Sequence, residues 1–248
     1  MSSAFKVVIP ARYASTRLEA KPLAQILDKP MIQWVYQAAT SSDADEVIVA
    51  TDDDRIVRAV SAFGGVSCKT RADHETGTDR IVEVTELMGW TDDTIIVNLQ
   101  GDEPLMPAQN LTQVAANLAR SGCDMATLHK AIDAESARDP NLVKLVCDQS
   151  GRALYFSRAG IPYQRDEFPA SYCGHIGLYA YSVGFLKTYA ELQPCMLEQS
   201  EKLEQLRALW LGMRLKVGRA TVRPGPGVDT EEDLETVGPL LEKSGDPT

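Results

Sequence analysis

The chain has no apolar run long enough to cross a membrane, no C-x-x-C pair, no Walker A loop and no G-x-S-x-G elbow. These absences exclude a membrane-spanning helix, P-loop kinase or ATPase chemistry and a serine-hydrolase elbow. Its 3 histidines, His74, His129 and His175, fall in no H-E-x-x-H motif and form no spaced metal set. The 5 cysteines (Cys68, Cys123, Cys147, Cys173, Cys195) are odd in number and scattered, which fits reduced thiols in a cytoplasmic protein better than a disulfide framework. Basic residues are in deficit: the formal net charge is −10, so no broad cationic surface for nucleic acid is expected. The beginning of the chain lacks the basic region, apolar core and small-residue site of a secretory signal.

What is present is an ordinary globular composition, 44% hydrophobic and 24% charged over 248 residues. A single domain of that size buries roughly three quarters of its unfolded surface and needs no covalent staple. Apolar runs alternate with helical patterns through the first half. Strands are expected at 5–10, 46–51, 66–69 and 94–99, and helices at 31–40, 54–63 and 76–88. The strands are continuously apolar, the pattern of a parallel sheet covered on both faces, and the repeat predicts a doubly wound α/β core. Beyond residue 120, strand-like runs crowd together at 125–131, 143–148, 153–157 and 176–181, the pattern of a smaller mixed-sheet portion. One helix is expected over 197–211, a strand over 214–219 and a closing helix over 230–242 with Thr230 and Asp233 as a capping box. The domain reading is therefore one α/β domain over 1–248. A first part covers about 1–120 and a second about 121–222, with the last helix returning to the core.

The stretch 10–23, Pro-Ala-Arg-Tyr-Ala-Ser-Thr-Arg-Leu-Glu-Ala-Lys-Pro-Leu, follows the first apolar run directly. It gathers Arg12, Arg17 and Lys21 into one loop of an acidic chain. Guanidinium forks and an ammonium suit phosphate oxygens, and the small residues beside them let backbone N–H groups approach an anion.

A second segment, Asn98-Leu99-Gln100-Gly101-Asp102-Glu103-Pro104, closes the strongest strand. Ligands of open α/β sheets sit beyond the carboxyl ends of strands, and a carboxylate there suits Mg²⁺. The bland alternative is a polar turn. Asp229, between a Gly/Pro loop and the last helix, is a candidate second ligand or simply a favourable helix-start charge; spacing alone does not bring it to Asp102. The polar run 70–80 opens a helix, where free N–H groups either bind an anion or base edge or are plainly capped by Thr76 or Thr78. His175 at a strand start, Arg158 after an apolar run, and Glu201, Glu204 and Gln205 on the late helix are open to structural readings on residue type alone.

Together these runs resemble the 3-deoxy-manno-octulosonate (Kdo) cytidylyltransferases, or CMP-Kdo synthetases. The resemblance is carried by the opening loop, Arg71-Ala72-Asp73-His74 with Thr76-Gly77-Thr78-Asp79-Arg80, Gln100-Gly101-Asp102-Glu103-Pro104, 153–159, His175-Ile176-Gly177-Leu178-Tyr179-Ala180-Tyr181, 203–207 and Gly227-Val228-Asp229-Thr230. It spans nearly the whole chain in order, and the later runs are its more specific part. It implies a nucleotide-diphospho-sugar transferase-like α/β fold with a nucleotide-binding part over about 1–120 and a sugar-binding and dimerisation part over about 121–222, a homodimer, and the Mg²⁺-dependent reaction of CTP with Kdo to CMP-Kdo and pyrophosphate, feeding lipopolysaccharide synthesis. It implies that Arg12, Arg17 and Lys21 hold the triphosphate, with Pro10, Ala11, Arg71, Thr76 and Gly77 along the nucleotide. Asp102 and Asp229 would bind magnesium, and Gln100, Arg158, His175, Tyr179, Glu204 and Gln205 would line the sugar site. One departure stands out: the family usually reads Leu-Pro-Gly-Lys, and this chain reads Leu18-Glu19-Ala20-Lys21, which removes a preset turn and adds a negative charge. The alternatives are a cytidylyltransferase for another acidic sugar, such as a sialic acid or an amino-substituted octulosonate, and a non-catalytic nucleotide-sugar binding module. Intact Arg17, Lys21, Asp102 and Asp229 weigh against the second.

Overall fold

The computed structural model describes residues 4–14, 18–74, 76–165 and 171–244. Strand β1 (Lys6–Pro10) leads through the phosphate-loop candidate into a single 3-10 turn at Lys21–Leu23 and a small hairpin of β2 (Gln25–Ile26) and β3 (Lys29–Pro30). Then come α1 (Met31–Thr40), β4 (Glu46–Thr51), α2 (Asp54–Ala62), β5 (Ser67–Lys69), α3 (Gly77–Leu87) and β6 (Ile95–Asn98). Each of these follows from its sequence. Asp53 caps α2 by accepting from the Arg55 N–H, and Gly64 takes the positive φ of 78° that leads the chain away from the helix. Thr76 caps α3 in a reciprocal box with Asp79.

Past residue 100 the chain forms α4 (Ala108–Ser121), β7 (Met125–Ile132), β8 (Lys144–Cys147), β9 (Ala153–Ser157) and the long β10 (Tyr172–Ser182). It closes with α5 (Val183–Ala190), α6 (Met196–Glu201), α7 (Gln205–Trp210), β11 (Leu215–Arg219) and α8 (Glu231–Ser244). The main sheet runs β11-β7-β10-β6-β1-β4-β5, with β8 pairing β10 and β9 extending from β8. Neighbours β6, β1, β4 and β5 are parallel, as are β11 and β7; β10 is antiparallel to β6, β7 and β8. The expected doubly wound core with a mixed-sheet portion is this sheet.

Its two faces carry two apolar clusters. Val7, Ile9, Val49 and Val97 point to the face covered by α1, α2, α4 and α8, whose Val237 and Leu241 return to this core. Val8, Ile48 and Ile96 point to the face covered by α3, α5 and α7. Strands buried on both faces therefore read as unbroken apolar runs.

Three expectations are corrected. The single helix over 197–211 is two: Lys202 adopts φ 54° and breaks it, so that α7 leaves at a new angle. β10 is longer than the run 176–181, and His175 stands inside it rather than at its start. Helices α4 and α5 occupy segments to which the sequence reading assigned no element.

Candidate functional site

The cleft lies beyond the carboxyl ends of β1 and β6. Gly101 lets the turn after β6 cross the end of β1: a Cβ on it would stand 2.9 Å from the Pro10 carbonyl oxygen. The loop before α8 is sewn to that turn by the Val228 N–H, which donates to the Asp102 carbonyl at 2.9 Å. Gly227 permits the approach, since a Cβ there would meet the same carbonyl at 3.3 Å. Two carboxylates far apart in sequence are thereby brought to one ammonium. Lys21 Nζ lies 2.5 Å from Asp102 Oδ2 and 2.7 Å from Asp229 Oδ1. Beside them burial, reinforced by the charge of Asp102, pushes the Glu103 carboxyl up to about 7. No third His, Cys, Asp or Glu joins these two in a metal-holding cluster among the described residues. Two carboxylates that converge on one cation, at the rim of a cleft, still suit Mg²⁺, which takes one or two protein carboxylates and completes its shell with phosphate and water.

The nucleotide candidates stand on the other side of β1. Arg12 Nη2 donates to the His74 carbonyl at 2.6 Å, and Ala11 N–H donates to the Ala50 carbonyl at 2.9 Å. The α3 N-terminus is adjacent: a Cβ on Gly77 would touch the Pro10 ring at 3.5 Å. The capping box satisfies the Asp79 and Thr76 N–H groups at 3.2 and 3.0 Å. The first-turn N–H groups of Gly77 and Thr78 have no carbonyl of their own helix to donate to. The Arg71 side chain is exposed and pairs with Asp73 at 3.4 Å.

A cavity of about 660 Å³ opens between these groups and the mixed-sheet portion. Gln100, Arg158, Tyr179, Glu204, Gln205, Gly77 and Asp229 all line it. Arg158 is held by carbonyls, donating to Glu201 at 2.7 Å and Pro140 at 3.0 Å. Burial raises the Glu204 carboxyl, while the Thr78 hydroxyl donates to it at 3.0 Å. The Gln205 amide nitrogen is buried with no hydrogen-bond partner among the described residues.

His175 is not among the lining residues; it packs behind Tyr179, with ring centroids 5.3 Å apart. Burial pulls its pKa down to about 3, so the ring is neutral. Thr127 Oγ1 has a single hydrogen, and the carbonyls of Ile176 and Leu178 at 3.1 and 2.8 Å can only accept it. The His175 Nε2 atom, 3.0 Å from that hydroxyl, is therefore the donor, which fixes the tautomer. Arg17 lies outside the described residues.

Sequence reasoning missed Asn98, Thr78, Tyr181, Phe185 and Tyr189, which also line the cavity. Asn98 accepts from Gln100 at 3.1 Å and donates to the Tyr181 hydroxyl at 3.0 Å, which aims the Gln100 amide. The rings of Tyr179, Tyr181, Phe185 and Tyr189 stack in succession at 5.7–6.0 Å. The period-2 alternation of β10 was a signal for Tyr181, which shares a strand face with Tyr179.

A family model of cytidylyltransferases matches residues 6–215. A 3-deoxy-manno-octulosonate cytidylyltransferase of Vibrio vulnificus is 54% identical over 245 residues, covering 96% of this chain and 98% of the relative. One of Pseudomonas fluorescens is 54% identical over 98% of this chain and all of its own length. Among solved structures, a CMP:2-keto-3-deoxy-manno-octonic acid synthetase complexed with CTP superposes with a TM-score of 0.92 at 44% identity, covering 98% of this chain and 100% of that one. A glucose-1-phosphate thymidylyltransferase of Bacillus anthracis, with a TM-score of 0.67 at 16% identity, shares the fold alone. With a cleft of this build at the ends of its strands, the chain belongs to the 3-deoxy-manno-octulosonate cytidylyltransferase family.

Proposed function

We propose that this chain is a nucleotidyltransferase that makes CMP-Kdo and pyrophosphate from CTP and Kdo, for lipopolysaccharide synthesis. The observation that carries this reading is the convergence of Lys21, Asp102 and Asp229 at one end of a cavity whose other end is aromatic and guarded by Arg158. Phosphate chemistry needs the first end, and a polyhydroxylated acid suits the second.

Arg12, Arg17 and Lys21 hold the triphosphate. Pro10 and Ala11 flank it, and Arg71, Thr76 and Gly77 lie along the cytidine. Gln100, Tyr179, Glu204 and Gln205 bind the sugar hydroxyls, Arg158 pairs with the sugar carboxylate, and His175 orients Tyr179 from behind. The anomeric hydroxyl attacks the α-phosphorus in line and gives up its proton to solvent; its oxygen–phosphorus bond forms as the bond to the bridging oxygen breaks, and pyrophosphate carries away the charge. No covalent enzyme intermediate is needed, so catalysis rests on positioning and charge neutralisation. Asp102 and Asp229 would hold Mg²⁺, which supplies positive charge at the α-phosphoryl group when bound. Lys21 then exchanges these carboxylates for phosphate oxygens.

The part around 1–120 takes the nucleotide and the part around 121–222 takes the sugar and the partner copy. A homodimer is supported by the exposed apolar side chains Leu154, Met196, Trp210 and Leu211, carried on or beside β9, α6 and α7. The five cysteines are all free thiols, which suits the cytoplasm. Among the described residues no helix is long and apolar enough to span a membrane.

The test is pyrophosphate release. CTP, Mg²⁺ and Kdo together should give it, and omission of any one should stop it. Equal release with a sialic acid would move the substrate to another acidic sugar, and comparable release with GTP would sink the preference for cytidine.

A further inference from the structure

The segment 70–74 has no regular structure, yet it supplies the carbonyl that holds Arg12. It is gripped by one face of α3. From one position, Glu83 Oε2 accepts the Arg71 N–H at 3.0 Å and pairs with the His74 ring through Nε2. Both side chains are largely buried: His74 is 6% exposed and Glu83 17%. One turn earlier on the same face, Arg80 is 1% exposed; it donates to the Thr70 hydroxyl and to the Arg71 carbonyl, the latter at 3.4 Å, and pairs with Asp52 at 3.1 Å. The carboxylate takes the segment's donors and the guanidinium takes its acceptors. Burial pushes the Glu83 carboxyl up, but the bonds from His74 and the Arg71 N–H outweigh this and leave it below its ordinary value.

The consequence runs along a chain of contacts. Glu83 fixes the His74 ring and the Arg71 backbone. The His74 carbonyl is then fixed, and it accepts Arg12 Nη2 at 2.6 Å. Without that acceptor, the Arg12 guanidinium would lose its one fixed hydrogen bond among the described contacts and would sample other rotamers.

We propose that Glu83 is a positioning residue for the nucleotide: acting through His74, it holds Arg12 in the orientation that meets the triphosphate. This rests on the reading above that Arg12 binds phosphate. Glu83 is not among the residues that line the cavity, so its removal alters the cleft only through the segment that holds Arg12. Glu83→Ala weakens CTP binding and leaves the Kdo site as it was.

The experiment is calorimetric CTP binding with steady-state kinetics for wild type, Glu83→Ala, Glu83→Gln, Arg12→Ala and the Arg12→Ala/Glu83→Ala double variant. Glu83→Ala should raise the Kd and KM for CTP about tenfold, the scale of a lost charge-assisted contact, with the KM for Kdo within about twofold of wild type. Glu83→Gln keeps an oxygen that accepts from both Arg71 and His74, so it should recover most of the affinity. In the Arg12→Ala background the Glu83→Ala effect should nearly vanish, because both changes remove the same contact. The proposal fails if the KM values for CTP and Kdo rise together, or if the two substitutions add. Should Glu83→Ala not fold, as judged by circular dichroism, the same cycle is run with His74→Ala, which removes the ring that Glu83 grips and is held to the same additivity criterion. Wild type that binds no CTP overturns the nucleotide reading itself, and this proposal with it; wild type that binds CTP alongside a Glu83→Ala variant that binds it equally well overturns this proposal alone.

Discussion

Lys21, Asp102 and Asp229 come from three separate segments outside the strands, with 12%, 37% and 47% of their side chains exposed. At the other end of the same cavity, Tyr181 and Gln205 come from β10 and α7, are buried, and meet a stack of aromatic rings. The first end is charged and holds itself together by pairing its own opposite charges. The second is largely aromatic, with the tautomer of His175 and the amide of Gln100 already set by buried hydrogen bonds. The contrast follows from what each end is proposed to receive. A triphosphate brings charge of its own, so the protein's charges must be able to change partner. A sugar brings hydroxyl groups, which are recognised best by donors and acceptors that do not move.

The sharpest way to break this comparison is at the charged end. Asp102→Asn and Asp229→Asn each remove a full charge from the pair that would hold Mg²⁺, while leaving a side chain of the same shape at a partly exposed position. Each should lower turnover by at least about a hundredfold, the scale of losing one preorganised electrostatic contact, with an unchanged circular dichroism spectrum. Near-normal Mg²⁺-dependent turnover in either variant would remove that residue from the metal site.

Arg158 tests whether the charge at the aromatic end belongs to the sugar. Arg158→Ala should raise the KM for Kdo by about tenfold to a hundredfold and that for CTP much less, since charge-assisted bonds carry roughly 1.5–3 kcal/mol. Its guanidinium also braces the Glu201 and Pro140 carbonyls, so a melting curve must accompany the kinetics. Weakened CTP binding with intact Kdo binding would place Arg158 on the nucleotide side and erase the division between the two ends.

A smaller effect sharpens the comparison through pH. His175 has a folded pKa of about 3 because burial disfavours the charged ring. In the unfolded chain it titrates near the ordinary value of about 6.5. Between the two the unfolded state binds more protons, so the contribution is complete above about 6.5 and is lost as pH falls, at up to about 1.4 kcal/mol per pH unit. His175→Gln should flatten the acid side of the stability curve in urea titrations between about pH 6.5 and 4. An unchanged slope would mean that the ring titrates normally and that the aromatic end is not as dry as its burial implies.

How much of this was legible varied with the range of the interaction. Unbroken apolar runs such as 46–51 mark strands covered on both faces, and Thr76 with Asp79 marks a helix start, because those signals are local. Helix α4 carried a signal as well: Leu111, Val114, Ala115 and Leu118 repeat at helical spacing and are buried. The break at Lys202 had none, with no Gly or Pro at the site, yet it separates α6 from α7. The meeting of Asp102 with Asp229 depends on the bond from the Val228 N–H to the Asp102 carbonyl and on the close approach at Gly227, neither of which spacing can reveal. Asn98, Thr78 and Glu83 were missed for the same reason: each acts through a partner from another segment.

The smallest expected effect concerns Ala20, where the chain departs from the family's Pro-Gly. Ala20 takes φ 52° and ψ 29°, the left-handed conformation that glycine adopts freely, and it immediately precedes Lys21. The turn is thus kept without its preferred residue. Glu19 beside it is exposed, and its charge is felt by Arg55, which is stacked over the Tyr13 ring at 3.2 Å and paired with Asp53 at 2.6 Å. The added negative charge therefore has a nearby cation in Arg55. Two opposing effects decide what Ala20→Gly would do. Removing the Cβ relieves about 1–2 kcal/mol of left-handed strain. Glycine also gives the unfolded chain more freedom, which costs about 0.4–1 kcal/mol. Strain relief outweighs the entropic cost, so the variant should gain roughly 0.5–1 kcal/mol in urea unfolding, with the KM for CTP little changed because the backbone already holds the turn. A loss of stability would show that the surrounding contacts, rather than the residue's own preference, set the turn, and that the charged end of the cleft is more rigid than its exposed side chains suggest.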